Sequence, residues 1–264
     1  MSAHPHRTAL VTGAAKRIGR AIALTLAGRG WALALHYNAS GGEARRLADE
    51  IRAGGGQAAV FKADLSSEEE TALLTPRVVE ETGPLAALIN NASVFEYDTP
   101  ETASRESWDL HMQVNLRAPF VLTQAFAAQQ PETEEAPGEA PGEANVINII
   151  DQRVWNLTSQ FTSYTLSKSA LWTLTQTLAL ALAPRIRVNA IGPGPTLPGA
   201  RQTEETFRRQ WASLPLERRV EPEEIGEAAC FILDAPSMTG QMIALDGGQH
   251  LGTRQRRDKS EPRE

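Results

Sequence analysis

The chain is expected to fold as a single doubly wound α/β domain built on a parallel sheet. Two observations carry that expectation. Short apolar, β-branched runs alternate with longer amphipathic stretches along the whole sequence, and a glycine turn follows the first run. Strands buried on both faces read as continuous apolar runs, which marks a parallel sheet covered by helices. In such a domain, ligands lie beyond the carboxyl ends of the strands.

Seven strand candidates follow in order: TALVT (8–12), WALALHY (31–37), QAAVFKA (57–63), LAALIN (85–90), NVINII (145–150), IRVNAI (186–191) and MIALD (242–246). Helix-like segments begin between them near residues 18, 41, 67, 104, 160 and 222. The stretch PETEEAPGEAPGEA (131–144) breaks the alternation. Its Pro, Gly and Glu content cannot support a packed core, so it reads as an exposed, mobile insertion. No repeat with a period of about 20–50 residues is present. The domain is expected over residues 1–252, with a polar tail at 253–264.

Charge and composition exclude several functions. A formal net charge of −6 argues against nucleic-acid binding, which needs a basic surface. The one basic run, RQRRDK, sits in the polar tail and reads as a solvated segment. No apolar run approaches the roughly 20 residues that cross a bilayer, and the start lacks the build of a signal peptide. A cytoplasmic protein is expected. Cys230, within the apolar run AACFIL, reads as a core thiol. His4 and His6 have no partners nearby, and no His/Cys cluster has metal-ligand spacing, so no metal is expected.

The first strand runs into TGAAKRIGRAIA. Gly13 and Gly19 in that turn let the backbone approach a pyrophosphate, and the helix that starts there points free N–H groups at the anion. Between a first strand and a first helix, this glycine pattern is a strong signal. The second strand ends in LHYNASGG, without the acid that usually holds the ribose 2′-hydroxyl of NAD. His36, Tyr37, Asn38 and Ser40 offer hydrogen bonds there, and Lys16 and Arg17 supply positive charge. That set favours a 2′-phosphate, hence NADP(H).

At the other end of the chemistry, YTLSK puts Tyr164 and Lys168 on one face of a helix. A phenol with a pKa near 10 is a poor acid or base at neutrality, and a neighbouring ammonium is expected to lower it. Asp151 stands where the apolar strand NVINII runs out. The motifs NNA (90–92) and PG (193–194) follow the fourth and sixth strands.

Together these motifs resemble the short-chain dehydrogenase/reductase family from about Thr8 to Leu251, including its terminal DGG (246–248). The resemblance implies a seven-stranded Rossmann domain, hydride transfer to or from a nicotinamide, and a homotetramer. It also implies a cofactor site made by Gly13, Lys16, Arg17, Ile18, Gly19, His36, Tyr37, Asn38, Ser40, Asp64, Leu65, Asn91, Ala92, Ser93, Tyr164, Lys168, Pro193, Gly194 and Thr196. Asn115, in VNLRAPF, matches the asparagine that helps to hold a proton-relay water.

Two departures narrow the resemblance. Arg17 replaces the usual glycine before Ile18-Gly19, and Asp151 replaces the serine thirteen residues before the tyrosine. Both, with NNASVF (90–95) and HYN, look like the pteridine reductase branch and its relatives that reduce dihydromonapterin or dihydrofolate. Where that branch often carries an arginine after HYN, this chain has Ala39.

Pterin chemistry suits the residues. A carboxylate accepts from ring N–H groups and exocyclic amines, or moves a proton to a ring nitrogen, whereas a ketone calls for a neutral donor. The expected substrate-binding set is Arg17, Ser93, Phe95, Asp151 and Tyr164, with Phe95 stacking on the flat ring. The segment 193–215 is the expected substrate lid; Phe207 or Trp211 either closes over the ligand or packs its helix. Trp155, Leu157 and Phe161 are expected to include pocket walls. The leading expectation is an NADPH-dependent pteridine reductase. The alternatives are a reductase of a carbonyl or another imine, and a non-catalytic nicotinamide-binding scaffold or redox sensor.

Overall fold

The computed structural model describes residues 7–130, 144–199 and 202–252. His4, His6, the expected insertion up to residue 143 and the tail at 253–264 lie outside the described residues.

The strands are β1 (Thr8–Val11), β2 (Ala32–Tyr37), β3 (Ala58–Lys62), β4 (Leu85–Asn90), β5 (Ala144–Ile149), β6 (Ile186–Pro193) and β7 (Met242–Leu245). They form one seven-stranded sheet in the order β3-β2-β1-β4-β5-β6-β7. Every pairing is parallel. The order turns back on itself between β1 and β4, and the crevice that this reversal opens at the strand ends is where ligands of such sheets bind.

The helices are α1 (Arg17–Gly28), α2 (Gly41–Ala53), α3 (Glu68–Thr82), α4 (Arg105–Met112), α5 (Ala118–Ala128), α6 (Thr162–Leu182), α7 (Glu204–Ala212) and α8 (Pro222–Asp234). They cover both faces of the sheet. On one face Ile22 and Leu26 of α1, Leu47 of α2 and Ile225 and Ile232 of α8 pack on Leu33 and Ile89. On the other, Leu74 of α3, Phe126 of α5 and Leu178 of α6 pack on Leu10, Leu88 and Val146. Helices α1 and α8 meet closely at Gly226, where a Cβ would lie 2.3 Å from Thr25 Oγ1. Cys230 is buried in the first of these cores, as expected, and burial pushes its thiol pKa up.

Two elements differ from the expected pattern. The helix expected from residue 104 is divided by a π-helical turn, Gln113–Arg117, between α4 and α5. Asn115 sits in that turn, and single π turns inside helices often mark functional positions. The lid segment contains α7, capped by Thr203, whose Oγ1 accepts from Thr206 N–H at 3.2 Å. Among the described residues, no helix is long and apolar enough to cross a membrane, and no group of His, Cys, Asp or Glu could hold a metal ion.

Candidate active site

The glycine turn is pinned to the crevice from β4. Thr12 Oγ1 accepts the N–H groups of Asn91 (2.9 Å) and Ala92 (3.0 Å), while Asn91 Nδ2 donates to Thr12 O (2.8 Å) and Gly13 O (3.2 Å). Gly13 has φ +62°, and a Cβ at Gly19 would lie 2.3 Å from Gly13 O. The turn is open to a ligand only because these positions lack side chains. No side chain caps the start of α1, so its first-turn N–H groups remain available to an anion. This cradle fits a dinucleotide pyrophosphate.

Arg17 adopts φ 56°, a left-handed conformation that explains why the related turn usually carries glycine there. Its guanidinium donates to Pro198 O (3.0 Å) and Leu197 O (3.2 Å) in the lid, tying the lid to the glycine turn.

Two further expectations at this end are corrected. His36 is buried beneath the turn rather than presented to a phosphate. Its Nδ1 accepts from Gly13 N–H and its Nε2 lies 3.0 Å from Ala63 O, so both ring nitrogens are used within the protein. Burial lowers its pKa, which keeps the ring neutral. Lys16, expected to supply positive charge across the turn, pairs with Glu43 at 3.1 Å. The acid absent from HYNASGG thus arrives from the first turn of α2. Both partners are partly solvated, so the pair is weak and opens readily.

Tyr37 is half-buried against Gly41, where a Cβ would meet its ring at 2.9 Å. Ser40 precedes α2 without a side-chain cap bond. Asn38 is exposed and interacts with Asp64, whose carboxyl lies below the usual range chiefly because Ser66 donates to it. Gly13, Lys16, Arg17, Ile18, Gly19, His36, Asn38, Asp64, Leu65, Asn91, Ala92 and Ser93 line one cleft. Tyr37 and Ser40 stand beside it and are not part of its lining.

A second cleft shares Arg17, Ile18, Asn91 and Ser93 with the first, so the two are continuous. It contains Phe95, Asp151, Tyr164, Lys168, Pro193, Gly194 and Thr196. The structure thus brings together the residues expected at the catalytic end.

Asp151 is placed by the end of β5 and by a 3-10 turn, Gln152–Val154, that it caps: Oδ1 accepts from Arg153 N–H at 2.8 Å. The other oxygen, Oδ2, accepts from Tyr164 OH at 3.0 Å. Burial raises the Asp151 pKa, and burial together with the Asp151 charge holds the Tyr164 phenol well above 10. Lys168 Nζ donates to Ile149 O at 2.8 Å and lies 5.9 Å from the centre of the Tyr164 ring. The expectation that Lys168 lowers the phenol pKa is corrected. Burial dominates, with the Asp151 charge second, and Tyr164 is kept protonated, as a proton donor must be. Burial lowers the Lys168 pKa to about 8.

The Asn115 carboxamide is fully hydrogen-bonded. Its Nδ2 donates to Val94 O (3.0 Å) and Ser167 Oγ (3.1 Å), and its Oδ1 accepts from Val94 N–H (2.9 Å) and Ser93 Oγ (3.0 Å). Those four bonds exhaust a carboxamide. The Asn115 side chain thus braces the substrate loop against α6. Ser93 is exposed at the cleft and held by the same amide.

Of the candidate walls, Phe161 stacks on Phe95, with ring centres 4.3 Å apart. Trp155 instead packs edge-on to Trp172 and His250, and Leu157 is exposed. In the lid, Phe207 is buried and lines the catalytic cleft, whereas Trp211 lines a separate outer groove.

A buried network next to Tyr164 had no local sequence signal. Glu96 N–H donates to His111 Nε2 at 3.0 Å, which fixes the ring proton on Nδ1; that atom meets Ser163 Oγ at 2.7 Å. Ser163 Oγ–H in turn donates to Asp98, whose carboxylate also takes Ser163 N–H at 3.2 Å. Asp98, His111 and Ser163 are all fully or almost fully buried. They fasten the loop carrying Phe95 to the first turn of α6, one residue from Tyr164. Arg153, Gln202, Gln210 and Gln249 also line the cleft without having been expected.

A family model described as enoyl-(acyl carrier protein) reductase matches residues 13–250. A short-chain type dehydrogenase/reductase of Picea abies is 30% identical over 257 residues, covering 92% of each chain. The chain belongs to the short-chain dehydrogenase/reductase family. Among solved structures, this family member is similar to FolM alternative dihydrofolate reductase 1 of Brucella canis, complexed with NADP. The identity is 46% and the TM-score 0.88, over 96% of this chain and 97% of that one. The Brucella suis protein of the same description, also in complex with NADP, is 46% identical with a TM-score of 0.84, covering 93% and 95%. This protein is accordingly an oxidoreductase with a Rossmann fold.

Proposed function

We propose that this short-chain dehydrogenase/reductase uses NADPH to reduce a C=N bond of a pteridine, such as dihydromonapterin or dihydrofolate. The observation that carries the reading is the hydrogen bond from Tyr164 OH to Asp151 Oδ2. A carbonyl reductase needs neutral donors around one oxygen. Here a buried carboxylate stands beside the phenol, which suits a ring that presents both N–H groups and a basic nitrogen.

The bound nicotinamide supplies the hydride to a ring carbon. Tyr164, kept protonated by burial and by the Asp151 charge, supplies the proton to the adjacent nitrogen. Asp151 accepts from the substrate's N–H edge, and one proton taken up from solvent, by way of the Asp151 carboxylate, restores the phenol after each turnover. Lys168, anchored on Ile149 O, offers its remaining N–H bonds to the nicotinamide ribose. Phe95, half exposed, presents a face for the flat ring. Two related structures crystallised with NADP support the choice of cofactor, as does the unobstructed cradle at Gly13 and Gly19. The exposed Leu166 and Leu180 on α6 support self-association, which we take to be the tetramer of the family.

Spectrophotometric NADPH oxidation with biopterin, dihydromonapterin, dihydrofolate and a panel of simple ketones tests the reading. Turnover of one or more pteridines, with ketones slow or inert, is expected; turnover of ketones alone would overturn it. The lysine adds a pH test. Its ammonium is the working form, so kcat/KM for NADPH should be flat near neutrality and fall as pH rises through about 8. A profile flat to about pH 10, where an unperturbed lysine titrates, would contradict this role.

A further inference from the structure

Helix α6 carries Tyr164 and Lys168 in its first two turns, yet it begins without a cap of its own. Phe161, which precedes it, has φ 60° and ψ 50°, a left-handed conformation disfavoured for a bulky residue. Its side chain offers the first-turn N–H groups no acceptor. The cap comes from Asp98, 65 residues before Ser163 in the chain. The Asp98 carbonyl accepts Phe161 N–H at 2.8 Å, and its carboxylate accepts both Ser163 N–H, at 3.2 Å, and Ser163 Oγ–H. A carboxylate at a helix start satisfies its free N–H groups and complements its dipole.

The same carboxylate governs the two rings that flank the phenol. Through Ser163 Oγ it orders His111, whose ring meets the Tyr164 ring edge-on with centres 5.9 Å apart. His111 Nε2 in turn accepts Glu96 N–H at 3.0 Å, which fixes the residue after Phe95. The Phe95 ring meets Tyr164 edge-on at 4.6 Å. Tyr164 is thus set from one side by the ring-binding loop and from the other by α4, and its OH reaches Asp151 Oδ2. Asp98, His111 and Ser163 are each no more than 1% exposed, and none of them lines either cleft. Ligand contact therefore does not account for them. Burying three polar side chains is costly unless every one is satisfied, so the network specifies one geometry.

We propose that Asp98, acting through Ser163 and His111, is the positioning residue of the catalytic phenol, and that it couples the aim of Tyr164 to the seating of a flat ring on Phe95. With the loop in place α6 is capped and the donor points at Asp151; with the loop displaced the helix start loses its cap and the phenol its aim. The inference rests on Tyr164 as the proton donor and goes further by assigning what places it.

The test uses Asp98→Asn, which keeps the size but leaves one acceptor oxygen for two Ser163 donors, and Ser163→Ala, which deletes the hydroxyl. Each is assayed with a substrate that the wild type reduces. Misplacing the donor should lower kcat by up to about a hundredfold, with KM for NADPH little changed. The solvent deuterium isotope effect on kcat should rise, and the effect of deuterium at the transferred position of NADPH should shrink, because proton transfer becomes the slow step. A merely structural network would lower the melting temperature and the active fraction and leave both isotope effects at their wild-type values. That result, or an unchanged kcat in both variants, overturns the proposal. Full activity in Tyr164→Phe would instead remove the donor assignment on which it rests. A readout without turnover is fluorine NMR of fluorotyrosine-labelled protein, whose chain has three tyrosines. The Tyr164 resonance, assigned with Tyr164→Phe, should shift and broaden in Asp98→Asn while that of Tyr37 stays in place. An unmoved Tyr164 resonance overturns the proposal whatever the substrate.

Discussion

Replacing Asp151 by serine is expected to lower kcat/KM for a dihydropteridine by about 10²–10⁴, the range of a lost general acid–base partner. Serine is the informative substitution because it leaves the local backbone served: its hydroxyl can still cap the Arg153 N–H that Asp151 Oδ1 accepts now. What disappears is the anionic acceptor of the Tyr164 proton and of the substrate's N–H edge. The phenol pKa should also fall in the variant, since the Asp151 charge is one of the causes holding it up. NADPH affinity, followed by fluorescence titration, should change little, because Asp151 bonds to Tyr164 and to the Arg153 backbone and not to the glycine turn. A large loss of NADPH binding would mean that the carboxylate supports the cofactor instead.

The second large effect belongs to Gly19. A Cβ there would stand 2.3 Å from Gly13 O, 2.6 Å from Asn91 Nδ2 and 3.0 Å from Ala14 Cα. Two of those atoms are backbone, and Asn91 is itself tied to Thr12 and Gly13, so the collision cannot be relieved by a rotamer change. The turn must open, and with it the donors aimed at the pyrophosphate. Overpacking of this kind costs about 1–3 kcal/mol, so Gly19→Ala should weaken NADPH binding on the order of ten- to a hundredfold. Thermal melts with and without NADPH separate the effects. The ligand-induced rise in Tm should shrink far more than the melting temperature of the unliganded protein.

The fold was readable because its signals are local. Each strand is an apolar run such as LAALIN or NVINII, and Gly13 and Gly19 mark the turn where the sheet meets its first helix. The meeting of Asp151, Tyr164 and Lys168 was also readable. Strand β5 ends just before the first of them, and one helical turn separates the other two. What escaped depends on long-range side-chain geometry. A helix-like segment is expected from residue 104, and nothing local marks the π turn where Asn115 bonds to Val94 and Ser167. His36 could face the ligand or the protein, and the nearness of Gly13 N and Ala63 O decides for the protein. Lys16 reads as positive charge at the turn, and the sequence does not show that α2 brings Glu43 beside it. The electrostatic effect of Lys168 on the phenol turns on distances that a spacing of four residues does not determine. Asp98, His111 and Ser163 lie far apart in the chain, and no local pattern announces that they converge beside Tyr164.

The most direct measurement compares NADPH oxidation by wild type and Asp151→Ser, each supplied in turn with a dihydropteridine and a simple ketone. The expected result is rapid pteridine turnover by the wild type, collapsing in the variant, with ketone reduction slow in both. Undiminished pteridine turnover by the serine variant would contradict the role assigned to the carboxylate, as would a wild type that reduces only ketones.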